Sequence, residues 1–146
     1  MFRIDLAGHF QEMNNIDTVK AIYEAFGRGD VPSILATLGP DVDWDYANTV
    51  TEVPWLVRRR GPEAVGGFFE AVRDLEFTNF QLKEVFGSPD GKTVVALVDV
   101  AFTVKSTGKS LSESDEIHLW RFADDGKVAR FRHGADTTKH LAAATR

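Results

Sequence analysis

Residues 76–136 read EFTNFQLKEVFGSPDGKTVVALVDVAFTVKSTGKSLSESDEIHLWRFADDGKVARFRHGAD, and this stretch decides the fold. Three turn signals divide it: Ser88-Pro89-Asp90-Gly91, Ser106-Thr107-Gly108-Lys109 and Asp124-Asp125-Gly126-Lys127. The segments between them predict four β-strands in hairpin succession, over 76–86, 92–105, 109–123 and 127–136. Each is longer than the usual strand of about 5–6 residues, so all four must twist and bend. In the second strand Val94, Ala96, Val98, Val100, Phe102 and Val104 form one apolar face. The other face carries Val95, Leu97, Asp99, Ala101 and Thr103, so both faces are expected to be covered. Helices can cover one face, leaving the other for a partner subunit or a further layer of the chain.

Upstream the hydrophobic period changes from strand to helix. Val19, Ile22, Tyr23 and Phe26 recur at helical spacing behind an Asp17 cap, and Gly27 and Gly29 end the run. Asp30 caps a second helix with Pro32 in its first turn, Val31, Ile34, Leu35 and Leu38 on one face, and Gly39-Pro40 at its end. Val42, Trp44 and Tyr46 then alternate with Asp41, Asp43 and Asp45, the period of a strand with one buried face. Ala47 to Arg60 is irregular. Gly61-Pro62-Glu63 opens a third helix whose apolar face is Ala64, Val65, Phe68, Phe69 and Val72. Downstream of the strands, Asp136 caps a short helix over 137–144. The expected architecture is α+β: an N-terminal arm over 1–16, then one domain over 17–146, with three helices packed on a curved, mostly antiparallel sheet.

The chain has 146 residues, 43% of them hydrophobic, enough for one core. With 27% charged residues and a net charge of -5 it offers no broad basic face, so nucleic acid is not an expected partner. There is no cysteine, hence no disulfide and no thiolate metal site, and a cytoplasmic location is expected. A metal would have to use the four histidines and the carboxylates, and no spaced motif supports one. The N-terminus lacks the pattern of a signal peptide, and no stretch is apolar enough to span a bilayer.

Strand parity sorts the polar candidates. On the last strand Ala129, Phe131, His133 and Ala135 share a face that reads as inward. On the strand before it Ser114, Glu116, His118, Trp120 and Phe122 share a face, which puts His118 and His133 side by side on one wall. A histidine there titrates near working pH and suits proton transfer. Asp99, an acid on a largely apolar strand, must be paired or serve in the pocket. Tyr23, Tyr46, Trp55, Phe69, Trp120 and Phe131 are the expected pocket-lining aromatics. Arg58-Arg59-Arg60 and the acids Glu113, Asp115 and Glu116 read as solvated runs.

Several of these segments together resemble a known family. Tyr23-Glu24-Ala25-Phe26 with Arg28-Gly29-Asp30, Pro40-Asp41-Val42 with Trp44, and Arg60-Gly61-Pro62-Glu63-Ala64-Val65 with Phe68-Phe69 come in order. Asp125-Gly126-Lys127-Val128, Arg130-Phe131-Arg132 and Asp136-Thr137 follow. Over about residues 17–142 the pattern is similar to the SnoaL-like branch of the nuclear transport factor 2-like superfamily. The resemblance implies a cone-shaped barrel with an interior pocket, a homodimer formed through the sheet, and no cofactor. Against ketosteroid isomerase, a relative, His118 stands where that enzyme holds a protonated aspartate, Tyr46 at its base, and Ile22, beside Tyr23, at its oxyanion tyrosine. That triad is not matched. Against limonene epoxide hydrolase, Val98-Asp99-Val100 resembles one aspartate strand, with Leu97 in place of the arginine and His133 in place of the second aspartate. The cyclases of the family carry an acid/base group at the position of His133. The resemblance therefore implies Asp99 with His133 or His118 as proton-transfer groups acting on a small apolar, oxygenated substrate, by isomerisation, cyclisation or hydrolysis. A non-catalytic binder or dimeric interaction domain of the same fold is the alternative.

Overall fold

The computed structural model describes residues 2–4, 10–12 and 14–146. The expected arm lies partly outside the described residues; within it Phe2–Ile4 (β1) and Phe10–Glu12 (β2) pair antiparallel. Helix α1 (Asn15–Gly27) starts earlier than expected, because Asn14 rather than Asp17 is its cap: the Asn14 side chain accepts the backbone N–H of Asp17. Helix α2 (Val31–Leu35) is capped by Asp30 as expected but ends sooner. Leu38 leaves the helix to begin β3 (Leu38–Trp44), where it pairs with Val128. A 3₁₀ turn at Pro54–Leu56 and the short β4 (Arg59–Arg60) lead into α3 (Gly61–Val72).

The hairpin signals hold. Gly91, Gly108 and Gly126, one in each turn, sit at φ of 73–81°, where a side chain is strained. They separate β5 (Leu75–Gly87), β6 (Thr93–Val104), β7 (Ser110–Phe122) and β8 (Val128–Gly134), each antiparallel to the next. Strand β3 joins the other side of β8 in parallel, giving a six-stranded order β4-β3-β8-β7-β6-β5. The sheet is curved but open, with β4 and β5 as its edges, so the barrel expected from the resemblance is not closed.

Burial along β6 alternates without a break, and Val94, Ala96 and Val98 are fully enclosed. This face meets the helices, and each buried Val or Phe on it contributes about 1.5–3 kcal/mol relative to exposure. The other face of β6 is only half-buried. Near the edge, Asp43 is buried instead of solvated because Arg58 grips it through two hydrogen bonds of 2.9 and 2.6 Å. That grip, opposed by partial burial, holds the Asp43 carboxyl below the ordinary carboxylate range. Arg58 is thus an ion-pair partner, not a member of a solvated run.

One irregularity positions the site. The β6–β7 register shifts between Val98 and Val100, whose partners are Glu116 and Glu113. Ser114 and Asp115 therefore stand opposite Asp99 alone, and Asp115 takes a φ of 56°. Inward parity on β7 changes across this bulge. Leu111 and Glu113 point in before it, and Glu116, His118, Trp120 and Phe122 point in after it, while Ser114 turns outward.

Candidate active site

Helices α1 and α3 lie over the inner face of the sheet and enclose a cavity of about 80 Å³. Since roughly 10–15 Å³ holds one water, the space suits a molecule of several heavy atoms, about one small ring. Its walls are aromatic. Phe131 stacks against Trp44 with centroids 4.1 Å apart and against Trp120 at 4.4 Å. Across from them Phe26 packs on Phe80 at 5.0 Å and on Phe69 at 6.4 Å.

Tyr23, Glu116 and the histidines gather at one end. There Trp120 Nε1 donates to Tyr23 Oη at 3.2 Å, and Tyr23 lies 2.5 Å from His118 Nδ1. On its other side His118 Nε2 lies 2.8 Å from Glu116 Oε1. Burial would raise the Glu116 pKa, but the His118 hydrogen bond on Oε1 and the His140 ring 3.6 Å from Oε2 outweigh it and hold the carboxyl far below its usual range. Burial pushes His118 down and Tyr23 up, so both are neutral. An ionised Glu116 can only accept, which places the His118 proton on Nε2 and makes Nδ1 the acceptor for the Tyr23 hydroxyl. The hydrogen bonds thus run one way, from Trp120 through Tyr23 and His118 to Glu116.

His133 is held from the opposite side. Its Nδ1 stands 3.0 Å from Asp45 Oδ2, and its backbone N–H donates to Asp45 Oδ1 at 2.8 Å. Burial opposes a charge on His133, but the Asp45 carboxylate overcomes it and raises the pKa above the ordinary value. With Nδ1 engaged, Nε2 has no hydrogen-bond partner among the described residues. The His133 and His118 rings are edge to face, 5.0 Å apart.

A third pair lies behind Glu116. His140 Nε2 is 2.9 Å from Glu113 Oε1 and 3.6 Å from Glu116 Oε2, while Trp55 Nε1 donates to its Nδ1 at 2.9 Å. Burial works against a charge here too, and the two carboxylates outweigh it, raising His140 to about 9. The Trp55 N–H argues the other way, because Nδ1 can accept it only while unprotonated. A cation would set two N–H donors head to head, so the hydrogen-bond geometry decides for a neutral ring with its proton on Nε2.

His118 and His133 share the cavity wall, and Tyr23, Trp55, Phe69, Trp120 and Phe131 line the cavity with them. Asp99 does not reach it. It sits on the opposite face of β6, where its carboxylate accepts the Asp115 N–H of the bulge at 3.0 Å and faces Lys83 at 3.5 Å. Of the two roles open to an acid on that strand, pairing is the one the fold gives it. Tyr46 is also outside, its ring under Arg130 at 5.4 Å. The alternation on β3 fails there because Asp45 turns into the left-handed region at φ 58° and is fully buried while Tyr46 swings out.

Four groups of the polar end were not expected in it: Asp45, Glu113, Glu116 and His140. Glu116 had a signal in the sequence, since it shares parity with His118. The other three had none.

A family model described as a SnoaL-like domain matches residues 19–131. The chain belongs to the SnoaL-like domain family. Solved structures agree on the fold of this SnoaL-like domain. An NTF2-like protein of unknown function from Burkholderia pseudomallei superposes with a TM-score of 0.74 at 28% identity, covering 92% of this chain and 100% of that one. A Mycobacterium tuberculosis protein in complex with estradiol-17beta-hemisuccinate gives 0.71 at 16% identity over 87% and 98% of the two chains. TerC co-crystallized with polyporic acid gives 0.70 at 22% identity over 89% and 97%. No curated protein matches the chain.

Proposed function

We propose that this SnoaL-like domain is an enzyme that transfers a proton on a small, largely apolar, oxygenated molecule held in the aromatic cavity. The observation that carries the reading is His133, oriented by Asp45 through Nδ1 and left with Nε2 uncommitted in the cavity. A ring so held is the usual form of a positioned acid or base. The one-way chain from Trp120 to Glu116 fixes the wall beside it, so a ligand oxygen or acidic C–H would meet a preorganised surface. Isomerisation, cyclisation and hydrolysis all fit this arrangement. The small molecules bound by structural neighbours support a small-molecule ligand for this fold.

The test is a thermal-shift screen of small lactones, epoxides and cyclic ketones, followed by product analysis of those that bind. The expected result is a compound that stabilises the protein and is converted. A compound that binds in the cavity with no conversion under any condition would instead make the domain a binder.

The sheet's outer face supports a second copy of this chain as partner. Phe86 and Ile117 are 50% and 46% exposed, and cross-strand pairing sets them beside the half-buried Val95, Leu97 and Leu119. Light scattering is expected to give twice the chain mass, reduced to the monomer mass by Ile117→Lys. A monomeric wild-type protein at working concentration contradicts the dimer.

A further inference from the structure

We propose that Glu116, His118 and His133 form a binding site for a divalent first-row transition-metal ion at the polar end of the cavity. One ligand atom from each lies within 4.8 Å of the other two. Ligand atoms at about 2.0–2.2 Å from an ion stand roughly 3–4 Å apart, so the set closes on an ion with small side-chain adjustments. Two imidazoles and one carboxylate with open positions toward a cavity suit an ion that also takes an oxygen of a bound molecule. The inference rests on the cavity being a small-molecule site; His133 Nε2 holds the ion in the metal-bound protein and the transferable proton in the metal-free one, so the two states are alternatives.

Three independent features favour this trio. Glu116 is 4% exposed, and its Oε2 has no hydrogen-bond partner in the described structure, an arrangement that leaves a buried lone pair for a cation. His133 already has the support that metal-bound histidines have, with Nδ1 on the Asp45 carboxylate and Nε2 available. His118 can offer Nε2 by moving its proton to Nδ1, since Tyr23 Oη opposite is a hydroxyl that accepts as readily as it donates. That exchange turns the Tyr23 hydrogen away from His118 and frees it for a ligand.

Glu113, Glu116 and His140 also converge within the same distance, but they are the weaker set. A cation on His140 Nε2 would force its proton onto Nδ1, against the Trp55 N–H at 2.9 Å. Indole nitrogen cannot accept a hydrogen bond, so no rotation relieves the clash.

The experiment is titration of tag-free, chelator-treated protein with Co²⁺, followed by visible absorption and thermal shift, without any substrate. One ion per chain is expected, with new absorption bands and a higher melting temperature. Asp45→Asn should weaken binding about 10–100-fold, the size of an outer-shell effect, and His133→Ala and isosteric Glu116→Gln should weaken it further. His140→Ala, which removes a ring 3.6 Å from Glu116 Oε2 and no ligand, should weaken it less than His133→Ala or Glu116→Gln. Circular dichroism of each variant separates lost binding from lost fold. Absence of Co²⁺ binding, or binding that survives His133→Ala and Glu116→Gln, overturns the site, as does binding lost in His140→Ala alone. Ligand binding to the chelator-treated protein is measured separately, so failure of the metal site leaves the small-molecule reading standing or falling by itself.

Discussion

Replacing His133 with alanine is expected to lower turnover by about 10²–10⁴-fold, the usual contribution of a positioned acid or base. Among the described residues the ring is the one cavity imidazole whose second nitrogen is uncommitted, because His118 is engaged at both nitrogens by Tyr23 and Glu116 and His140 by Trp55 and Glu113. Ligand affinity should change far less than rate, since the aromatic walls that supply apolar contact remain in place. The substitution removes an edge-to-face contact with Phe131 at 4.6 Å and leaves Asp45 with the His133 backbone N–H as a remaining partner, so the fold is expected to survive. Single-turnover kinetics on wild type and variant, with affinity from quenching of tryptophan fluorescence, would check it. Equal rates in the two proteins would remove His133 from the chemistry.

Phe131→Ala is expected to destabilise the domain by about 3–5 kcal/mol, the range for large-to-small changes at buried aromatics. Phe131 is 2% exposed and sits where β8 meets both β3 and β7, paired with Trp44 on one side and Trp120 on the other. Its ring holds those two indoles at 4.1 and 4.4 Å and touches His118 and His133 at 5.6 and 4.6 Å. Neither indole can move in to fill the gap without leaving its own packing, Trp44 on Phe68 and Trp120 on Tyr23. The melting temperature should fall by about 6–20 °C, at roughly 2–4 °C per kcal/mol for a chain of this size. A loss below about 1 kcal/mol in denaturant titration would mean that the site collapses freely and is not a rigid wall.

The strands and their inward faces were legible in sequence because they depend on local rules. Turn residues at 88–91, 106–109 and 124–127 ended each strand, and period-2 alternation placed Phe131 with His133 and His118 with Trp120. Each of these follows from the backbone geometry of neighbours in the chain. The errors arose where the backbone left that geometry. Asp45 in the left-handed region reversed the alternation at the end of β3, and the bulge at Ser114 and Asp115 reversed it on β7. After the second reversal Glu113 and Glu116 faced inward together, and Asp99 served the bulge from outside.

The sequence by itself determined the α+β class, the four hairpin-linked strands, the family, and the pairing of His118 with His133 on one wall. Only the tertiary structure decided what those histidines bind. Asp45 comes from the end of β3, Tyr23 from α1, Trp55 from the irregular segment before α3, and its partner His140 from the C-terminal helix Thr137–Ala144, and they meet only after the sheet has curved and the helices have docked. Periodicity reports which face a side chain takes. A polar partner far along the chain is chosen by burial, which forces every enclosed donor and acceptor to find one.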